Sequence, residues 1–286
     1  MSAPLRTAIG DYPHTRALKS GAVRSDVVAF DFAEVAPINR AFAPMVREQK
    51  FDVCEIAIAT YFQARAFGKP LVLLPIVLAA RFQQSALLCR ADADIAVPRD
   101  LAGRRVGVRA YSQTTGVWLR GMLADDHGLR PDDIRWVTFE DAHVAEFRDP
   151  PFAARAPAGA DMLAMLRAGE LDAVIVGNDP PADPSLRPVF ARPEEEAAAF
   201  WAKHRFVPVN HMVCMRAALA SQEAVAELTG LFAAARTFAP TPADGRDPFA
   251  ATRESLAPAL GLALRYTQEQ GLLPRPLSVA ELWRRP

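Results

Sequence analysis

The stretch from Arg105 to Met122, RVGVRAYSQTTGVWLRGM, carries the residues best suited to binding an anion. Its first residues have the pattern of a short buried strand, and residues 116–122 resume with helical spacing. The polar turn between them contains Tyr111, Ser112, Gln113, Thr114 and Thr115. Hydroxyls and backbone N–H groups at a helix start, with the positive end of the helix dipole behind them, favour a carboxylate or a phosphate. The alternative is that one hydroxyl only caps the helix.

Four further residues could take part in acid–base chemistry or ligand binding. His14 and His211 lie in predicted loops at strand ends, and histidine exchanges a proton near neutral pH. For each histidine, a hydrogen-bonded structural role is the alternative. Glu55 ends a predicted strand and could be a base or a hydrogen-bond acceptor with a structural role. Asn178 follows another predicted strand and could contact a ligand or hold a turn.

Two arginines, Arg81 and Arg109, each lie next to a predicted strand end. The planar guanidinium group binds a carboxylate through two parallel hydrogen bonds, so both are candidates for a substrate clamp. No set of His, Cys, Asp and Glu residues has the spacing of a zinc site, and no glycine-rich phosphate loop occurs. The sequence therefore implies neither a metal nor a nucleotide cofactor.

Composition bounds the partners and the compartment. The 286 residues include 33 basic and 33 acidic residues, so no net field attracts nucleic acid or an anionic membrane. The three cysteines are far apart, which favours buried thiols in a reducing compartment. The first residues lack a signal-peptide pattern, and the longest apolar run, residues 71–80, is too short to span a bilayer. We therefore expect a cytoplasmic protein, with a homo-oligomer left open.

Strands and helices alternate along most of the chain. The first third predicts strands at 5–10, 27–32, 51–55 and 71–77, and helices at 36–49 and 56–67. After a boundary turn at 97–101, strands follow at 134–139, 173–176 and 208–215, and helices at 161–168 and 194–204. This order predicts doubly wound, mostly parallel α/β sheets. The last third predicts two helices, 223–238 and 249–266, with Pro258 interrupting the second.

Six short motifs, taken together in their order, carry a resemblance to a known family. They are GDYPHT (10–15), FDVCE (51–55), DLAGRRVGV (100–108), TGVWLRG (115–121), GELDA (169–173) and PVNH (208–211). The chain resembles the 4,5-dihydroxyphthalate decarboxylase family over nearly its full length, and that family is similar in fold to type II periplasmic binding proteins. The resemblance implies two α/β lobes joined by crossing strands, here 85–90 and 211–215, with the ligand held between the lobes. We expect lobe one to contain residues 1–90 and 211–286, with the helical C-terminal segment packed on it, and lobe two residues 91–210.

The resemblance also implies an activity, cofactor-independent decarboxylation of a hydroxylated aromatic acid. Such a site needs a general acid, a partner for the ring hydroxyl and a clamp for the carboxylates. We assign His211 as proton donor, His14 as hydroxyl partner or second acid, and Arg81 and Arg109 as the clamp. Members of the family show an Arg-x-Phe-Arg-His-Ser pattern, whereas this chain has Gln83 and Gln84 at the last two charged positions.

That departure leaves two alternatives open. One is a non-catalytic binding protein for a small anion or carboxylate, of the type that serves transporters. The other, ranked last, is an enzyme that makes a pyrimidine or quinone precursor on the same fold. In every case the expected partner is a small-molecule carboxylate, with neither nucleic acid nor membrane.

Overall fold

The computed structural model describes residues 3–177, 180–242 and 245–285. The chain divides into two compact units. Unit 1 contains residues 1–81, 209–264 and 273–286, and unit 2 contains residues 82–208 and 265–272.

The strands and helices are numbered in chain order. The strands are β1 (Leu5–Ala8), β2 (Phe30–Phe32), β3 (Val53–Ala57), β4 (Leu71–Ala80), β5 (Leu87–Arg90), β6 (Arg105–Val108), β7 (Arg135–Thr138), β8 (Ala153–Arg155), β9 (Ala173–Ile175), β10 (Leu186–Pro188) and β11 (Val209–Arg216). The α-helices are α1 (Arg16–Lys19), α2 (Phe42–Glu48), α3 (Ile58–Ala66), α4 (Thr114–His127), α5 (Met162–Arg167), α6 (Pro193–His204), α7 (Gln222–Arg236), α8 (Arg253–Glu269) and α9 (Val279–Leu282). Short 3₁₀ turns lie at 38–41, 84–86, 98–101, 131–133 and 217–219.

The sheet of unit 1 has the order β2-β1-β3-β11-β4 within the described residues. β1 pairs in parallel with β2 and β3, whereas β11 runs antiparallel to both of its neighbours. Every residue of β3 is buried, as expected for a central strand covered on both faces. The first helix of the C-terminal segment, α7, places Leu228 and Phe232 in the same core as Val72 and Leu74 of β4, as expected for a helical tail that packs on the first unit. The last residues of α8, from Arg265 on, belong to unit 2.

The pairing of β4 with β11 is irregular next to Pro75. Met212 is opposite Val77, but the next residue, Val213, is opposite Leu74. Pro75 and Ile76 therefore lie in a bulge of β4, at the edge of the sheet, where a residue that cannot donate a hydrogen bond is tolerated. The bulge lies beside the part of β11 that carries His211.

The sheet of unit 2 has the order β10-β5-β9-β6-β7-β8 within the described residues. β9, β6, β7 and β8 pair in parallel, and β5 and β10 join them antiparallel. α4 follows β6 and is buried over its first ten residues, 114–123. It ends at Gly128, whose positive φ of 62° provides the left-handed C-terminal turn.

The units differ from the predicted lobes at their boundaries. Residues 82–90 belong to unit 2, because β5 pairs with β9 and β10 and not with any strand of unit 1. Residues 265–272 also belong to unit 2, and residues 209–210 to unit 1.

Two local predictions are corrected by the structure. The strand predicted at 27–32 is shortened to Phe30–Phe32, and the Val27 side chain ahead of it is 72% exposed. Pro258 does not interrupt the last long helix, since α8 continues through it. Buried Leu256, Ala259 and Leu260 anchor the turns on both sides of the proline, and this packing offsets the one backbone hydrogen bond that a proline removes.

Candidate active site

Glu55 and His211 meet on one face of the unit 1 sheet. In the antiparallel pair of β3 and β11, His211 is opposite Ala57 and Val213 is opposite Glu55. Because alternate residues of a strand share a face, Glu55 and His211 are diagonal neighbours, a separation that long side chains span. The small side chain of Ala57 leaves room for the imidazole to lean toward Glu55. His211 Nδ1 lies 2.7 Å from Glu55 Oε1.

The Glu55 carboxylate is fully buried and accepts three hydrogen bonds. Besides the His211 contact, Oε1 accepts the Tyr12 hydroxyl at 2.8 Å, and Oε2 accepts the backbone N–H of Gly10 at 2.8 Å. A backbone N–H can only donate, and an ionised carboxylate can only accept. Ionised Glu55 therefore satisfies all three neighbours when Nδ1 of His211 carries a proton. Nε2 is then the ring nitrogen left for chemistry.

The loop after β1 delivers two of those donors and is folded by Thr15. The Thr15 hydroxyl donates to the carbonyl of Gly10 at 2.9 Å and accepts the backbone N–H of Tyr12 at 2.9 Å. This closes the loop so that the Tyr12 ring folds back over Gly10. A Cβ at Gly10 would lie 2.5 Å from the Tyr12 ring, so glycine is required there.

The surroundings keep Tyr12 protonated and hold the His211 ring in place. Burial, followed by the adjacent Glu55 carboxylate, raises the pKa of Tyr12 far above its usual value of 10.0, so the phenol stays protonated and donates to Glu55. The His211 side chain is 15% exposed and packs edge-on against the Phe42 ring at 5.1 Å between centroids. One nitrogen is thus fixed by the carboxylate, while the ring keeps some access to solvent.

His14 lies near this cluster but in a different environment. Its ring is stacked between Tyr12, at 5.3 Å, and Phe249, at 4.2 Å between centroids. Nε2 lies 3.2 Å from the carbonyl oxygen of Leu78 and donates to it. Burial is the main cause that lowers the pKa of His14 below 6.5, with a smaller contribution from the Arg236 guanidinium. These contacts favour a neutral His14 ring that packs against Tyr12, and they do not favour His14 as a proton donor.

The predicted ligand residues around the start of α4 all belong to unit 2. Tyr111 is fully buried, and its hydroxyl has no hydrogen-bond partner. Gln113 is the N-cap residue of α4, but its side chain makes no capping hydrogen bond. Thr114 and Thr115 form the first turn and are buried. The helix start is therefore where the sequence predicts it, and the N-cap position falls on Gln113 and not on a hydroxyl residue.

The two clamp candidates occupy separate units. Arg109, which follows β6 in unit 2, forms a partly exposed ion pair with Glu140 at 2.9 Å. Arg81 follows β4 at the end of the first segment of unit 1 and is half-buried. Asn178, the remaining predicted ligand residue, lies outside the described residues.

The structure brings Glu55 and His211 together and adds residues that the sequence reasoning missed. Tyr12, Gly10 and Thr15 complete the cluster, and all three belong to the GDYPHT motif. A glycine two residues before an aromatic residue, directly after a strand, was the available signal. It indicates a ring folded against the backbone.

Among residues 3–177, 180–242 and 245–285, no group of three or more His, Cys, Asp and Glu side chains is arranged to hold a metal ion. No helix in this part of the chain combines the length and the apolar character that crossing a membrane requires.

Similar proteins were found at the level of sequence. Residues 35–160 match the family model described as NMT1/THI5 like. The chain is 30% identical over 230 residues to a 4,5-dihydroxyphthalate decarboxylase of Comamonas testosteroni, covering 76% of this chain and 69% of that protein. It is 32% identical over 179 residues to a 4,5-dihydroxyphthalate decarboxylase of Pseudomonas putida, covering 60% of this chain and 69% of that protein.

Solved structures match the fold over nearly the whole chain. The periplasmic aliphatic sulphonate binding protein SsuA from Escherichia coli superposes with a TM-score of 0.61 at 16% identity, covering 100% of this chain and 93% of that one. A putative periplasmic sulfonate-binding protein SsuA from Methylobacillus flagellatus superposes with a TM-score of 0.54 at 13% identity, covering 98% and 91%. At such low identity the match concerns the fold alone, and it confirms the predicted α/β fold of the periplasmic-binding-protein type.

Proposed function

Because the chain belongs to the 4,5-dihydroxyphthalate decarboxylase family and is a decarboxylase by that membership, we propose that it removes carbon dioxide from a hydroxylated aromatic carboxylic acid of the 4,5-dihydroxyphthalate kind. The proposed reaction uses no cofactor and belongs to the breakdown of aromatic compounds. The observation that carries the proposal is the 2.7 Å contact between His211 Nδ1 and the fully buried Glu55 carboxylate.

The reaction begins with protonation of a ring carbon. A ring hydroxyl pushes electrons toward the carbon that bears the carboxylate, and that carbon takes a proton from a general acid. The bond to the carboxylate carbon then breaks, carbon dioxide leaves, and the electron pair restores the aromatic ring. The ring hydroxyl loses no atom, and the product carries a hydrogen in place of the carboxylate.

His211 is the proposed general acid. In histidine–carboxylate pairs the carboxylate fixes the tautomer and stabilises the imidazolium form. Glu55 makes this contact at Nδ1, so the imidazolium delivers its proton from Nε2. Glu55 therefore acts as the residue that orients His211, since both of its oxygens already accept hydrogen bonds from the protein.

Tyr12 and His14 have supporting roles in this scheme. Tyr12 donates to Glu55 and keeps the carboxylate in place beside the imidazole. His14 stacks on Tyr12 and holds that ring from the other side. In this proposal His14 is not the second acid, because burial favours its neutral form.

The residues Gln83 and Gln84 bear on how many carboxylates the substrate carries. Gln83 and Gln84, which replace the charged pair of the family pattern, are both buried and carry no charge. A buried amide does not neutralise an anion as a buried cation does. We therefore include acids with one carboxylate among the candidate substrates.

The test is a decarboxylation assay with a panel of acids. Purified protein is incubated with 4,5-dihydroxyphthalate, other hydroxyphthalates and hydroxybenzoates, and carbon dioxide release is measured. We expect release from at least one acid, loss of turnover in His211→Ala with ligand affinity largely retained, and little change in the control His127→Ala in unit 2.

Two outcomes would count against the proposal. If the wild-type protein released no carbon dioxide from any acid of the panel, but calorimetry detected binding of the same acids, the binding-protein alternative would be favoured. Full turnover in His211→Ala would remove His211 as the acid. We also propose a cytoplasmic location, which fractionation of the producing cells tests directly.

A further inference from the structure

Arg120, in the middle of α4, is a deeply buried cation of unit 2. Its side chain is 1% exposed, and among the described residues no carboxylate forms an ion pair with it. Nε donates to Oε1 of Gln270 at 2.7 Å, and Nη2 donates to the backbone carbonyl of Tyr111 at 2.5 Å. Nη1 is buried without a hydrogen-bond partner. The Asp149 carboxylate acts on the guanidinium electrostatically without forming an ion pair, so the group is not fully satisfied.

Two aromatic rings make this burial tolerable. The guanidinium carbon lies 4.0 Å from the centre of the Tyr111 ring and 5.0 Å from that of Trp136. Contact with ring faces stabilises a cation and does not cancel its charge. Burial lowers the pKa of Arg120, but an arginine keeps its proton in a protein at neutral pH. The group thus holds a positive charge inside unit 2.

The guanidinium lies directly beneath the turn that starts α4. Nη2 contacts the carbonyl of Tyr111 at the beginning of the turn, and Nη1 would lie 2.9 Å from a Cβ at Gly116 in the first helical turn. Glycine at position 116 is therefore what admits the guanidinium. The charge and the positive end of the α4 dipole act at the same place.

A buried cation without a partner anion is costly unless something compensates it. The contrast with Arg109 is informative, because that arginine is held by Glu140 at 2.9 Å. We propose that Arg120 is a positioning residue: its buried guanidinium gives the Tyr111–Gly116 turn the positive potential with which it binds the carboxylate of an aromatic acid. The inference rests on the proposed function for the class of ligand.

The experiment compares a charged ligand with a neutral one of the same shape. The probes are 4,5-dihydroxyphthalate and its diamide, and the readout is the ratio of their dissociation constants by calorimetry. We expect Arg120→Met to lower affinity for the dianion by about tenfold relative to the diamide, because one charge acting over several ångströms is removed. Arg120→Lys, which keeps the charge, should recover most of the ratio.

Two further variants separate the effect of the Arg120 charge on ligand affinity from its effect on protein stability. Gln270→Leu removes the same hydrogen bond from Nε without changing charge, so it should lower the thermal midpoint and leave the affinity ratio unchanged. If Arg120→Met does not fold, Arg120→Gln removes the same charge with a side chain that can still donate a hydrogen bond, and it should lower the ratio in the same direction.

Each remaining outcome decides the inference. A folded Arg120→Met or Arg120→Gln with the wild-type ratio would overturn it, and so would a wild-type protein that binds the two probes equally or binds neither. A wild-type protein that prefers the dianion without releasing carbon dioxide would refute the proposed function and leave the role of Arg120 intact.

Discussion

Replacing Glu55 by glutamine isolates the role of the carboxylate at almost constant shape. Oε2 faces the Gly10 N–H, which can only donate, so the glutamine oxygen must occupy that position. The amide NH₂ then faces Tyr12 and His211. The Tyr12 hydroxyl can rotate to accept, whereas His211 can accept at Nδ1 only by moving its proton to Nε2. A ring protonated on both nitrogens would place Nδ1–H against the amide N–H, so the imidazolium form is disfavoured.

The magnitude follows from the interactions that change. Loss of a positioned general acid lowers kcat by about 10²- to 10⁴-fold, and we expect Glu55→Gln to fall in that range. Substrate affinity should change much less, because Glu55 is occupied by protein donors. Hydrogen bonds to a charged acceptor become hydrogen bonds to a neutral amide, and we expect a loss of about 1–3 kcal/mol in the free energy of unfolding.

Three measurements check this reasoning. Carbon dioxide release gives kcat and KM, urea denaturation gives stability, and nitrogen-15 NMR shows which ring nitrogen of His211 carries the proton. The control is Tyr12→Phe, which removes one donor to Glu55 but keeps its charge and its contact with His211. We expect that control to retain kcat to within about tenfold. A Glu55→Gln protein with wild-type kcat and with Nδ1 still protonated would refute the assignment of Glu55 as the orienting group.

Three further predictions concern packing and pH. Gly10→Ala should destabilise the protein by about 1–3 kcal/mol in urea denaturation, since its Cβ would lie 2.5 Å from the Tyr12 ring. Gly121→Ala should cost at least as much by the same measurement, because its Cβ would overlap the Tyr266 ring inside unit 2. Burial lowers the pKa of His14 in the folded protein below its usual value of 6.5. Between the pKa in the folded protein and 6.5, the unfolded chain binds more protons, so the free energy of unfolding rises with pH. His14→Asn should flatten that dependence in urea titrations at pH 5 to 7; an unchanged slope would mean that His14 is not its source.

Much of the fold could be predicted because the local signals agree with the packing. The continuous apolar run LVLLPIVLAA, for example, indicates a buried strand, and it forms β4 of the unit 1 sheet. The family resemblance rested on motifs spread over the chain, and the two decarboxylase relatives confirm it. The membership of β5 could not be predicted in the same way, since it depends on pairing with β9, more than eighty residues away. Pro258 was misjudged because the buried residues around it decide whether the helix continues.

The pair at the centre of the candidate site shows where sequence reasoning stops. The sequence predicts His211 in a loop and Glu55 at the end of a strand, but the structure places both inside strands, β11 and β3. They are 156 residues apart and meet through the antiparallel register of these strands. A shift of that register by one residue would turn the two side chains to opposite faces of the sheet. The pairing is therefore a property of the sheet, which the sequence near either residue does not contain. Tyr12 was overlooked because an aromatic residue in a loop is usually interpreted as packing.

The positions of Arg109 and Arg120 in the sequence do not reveal the surroundings of their charges. Arg109 follows a strand and precedes a polar turn, so position along the sequence made it the natural clamp candidate, yet Glu140 holds it in an ion pair. Arg120 lies in GVWLRGM, and although most arginines are solvated surface charges, this one is 1% exposed. The two glycines, Gly116 and Gly121, were the overlooked signal. Gly116 leaves room for the guanidinium of Arg120, and Gly121 leaves room for the Tyr266 ring. In this helix the two glycines therefore leave room for a buried charge and its packing, and the proposal for Arg120 places an anionic ligand at the turn that this charge faces.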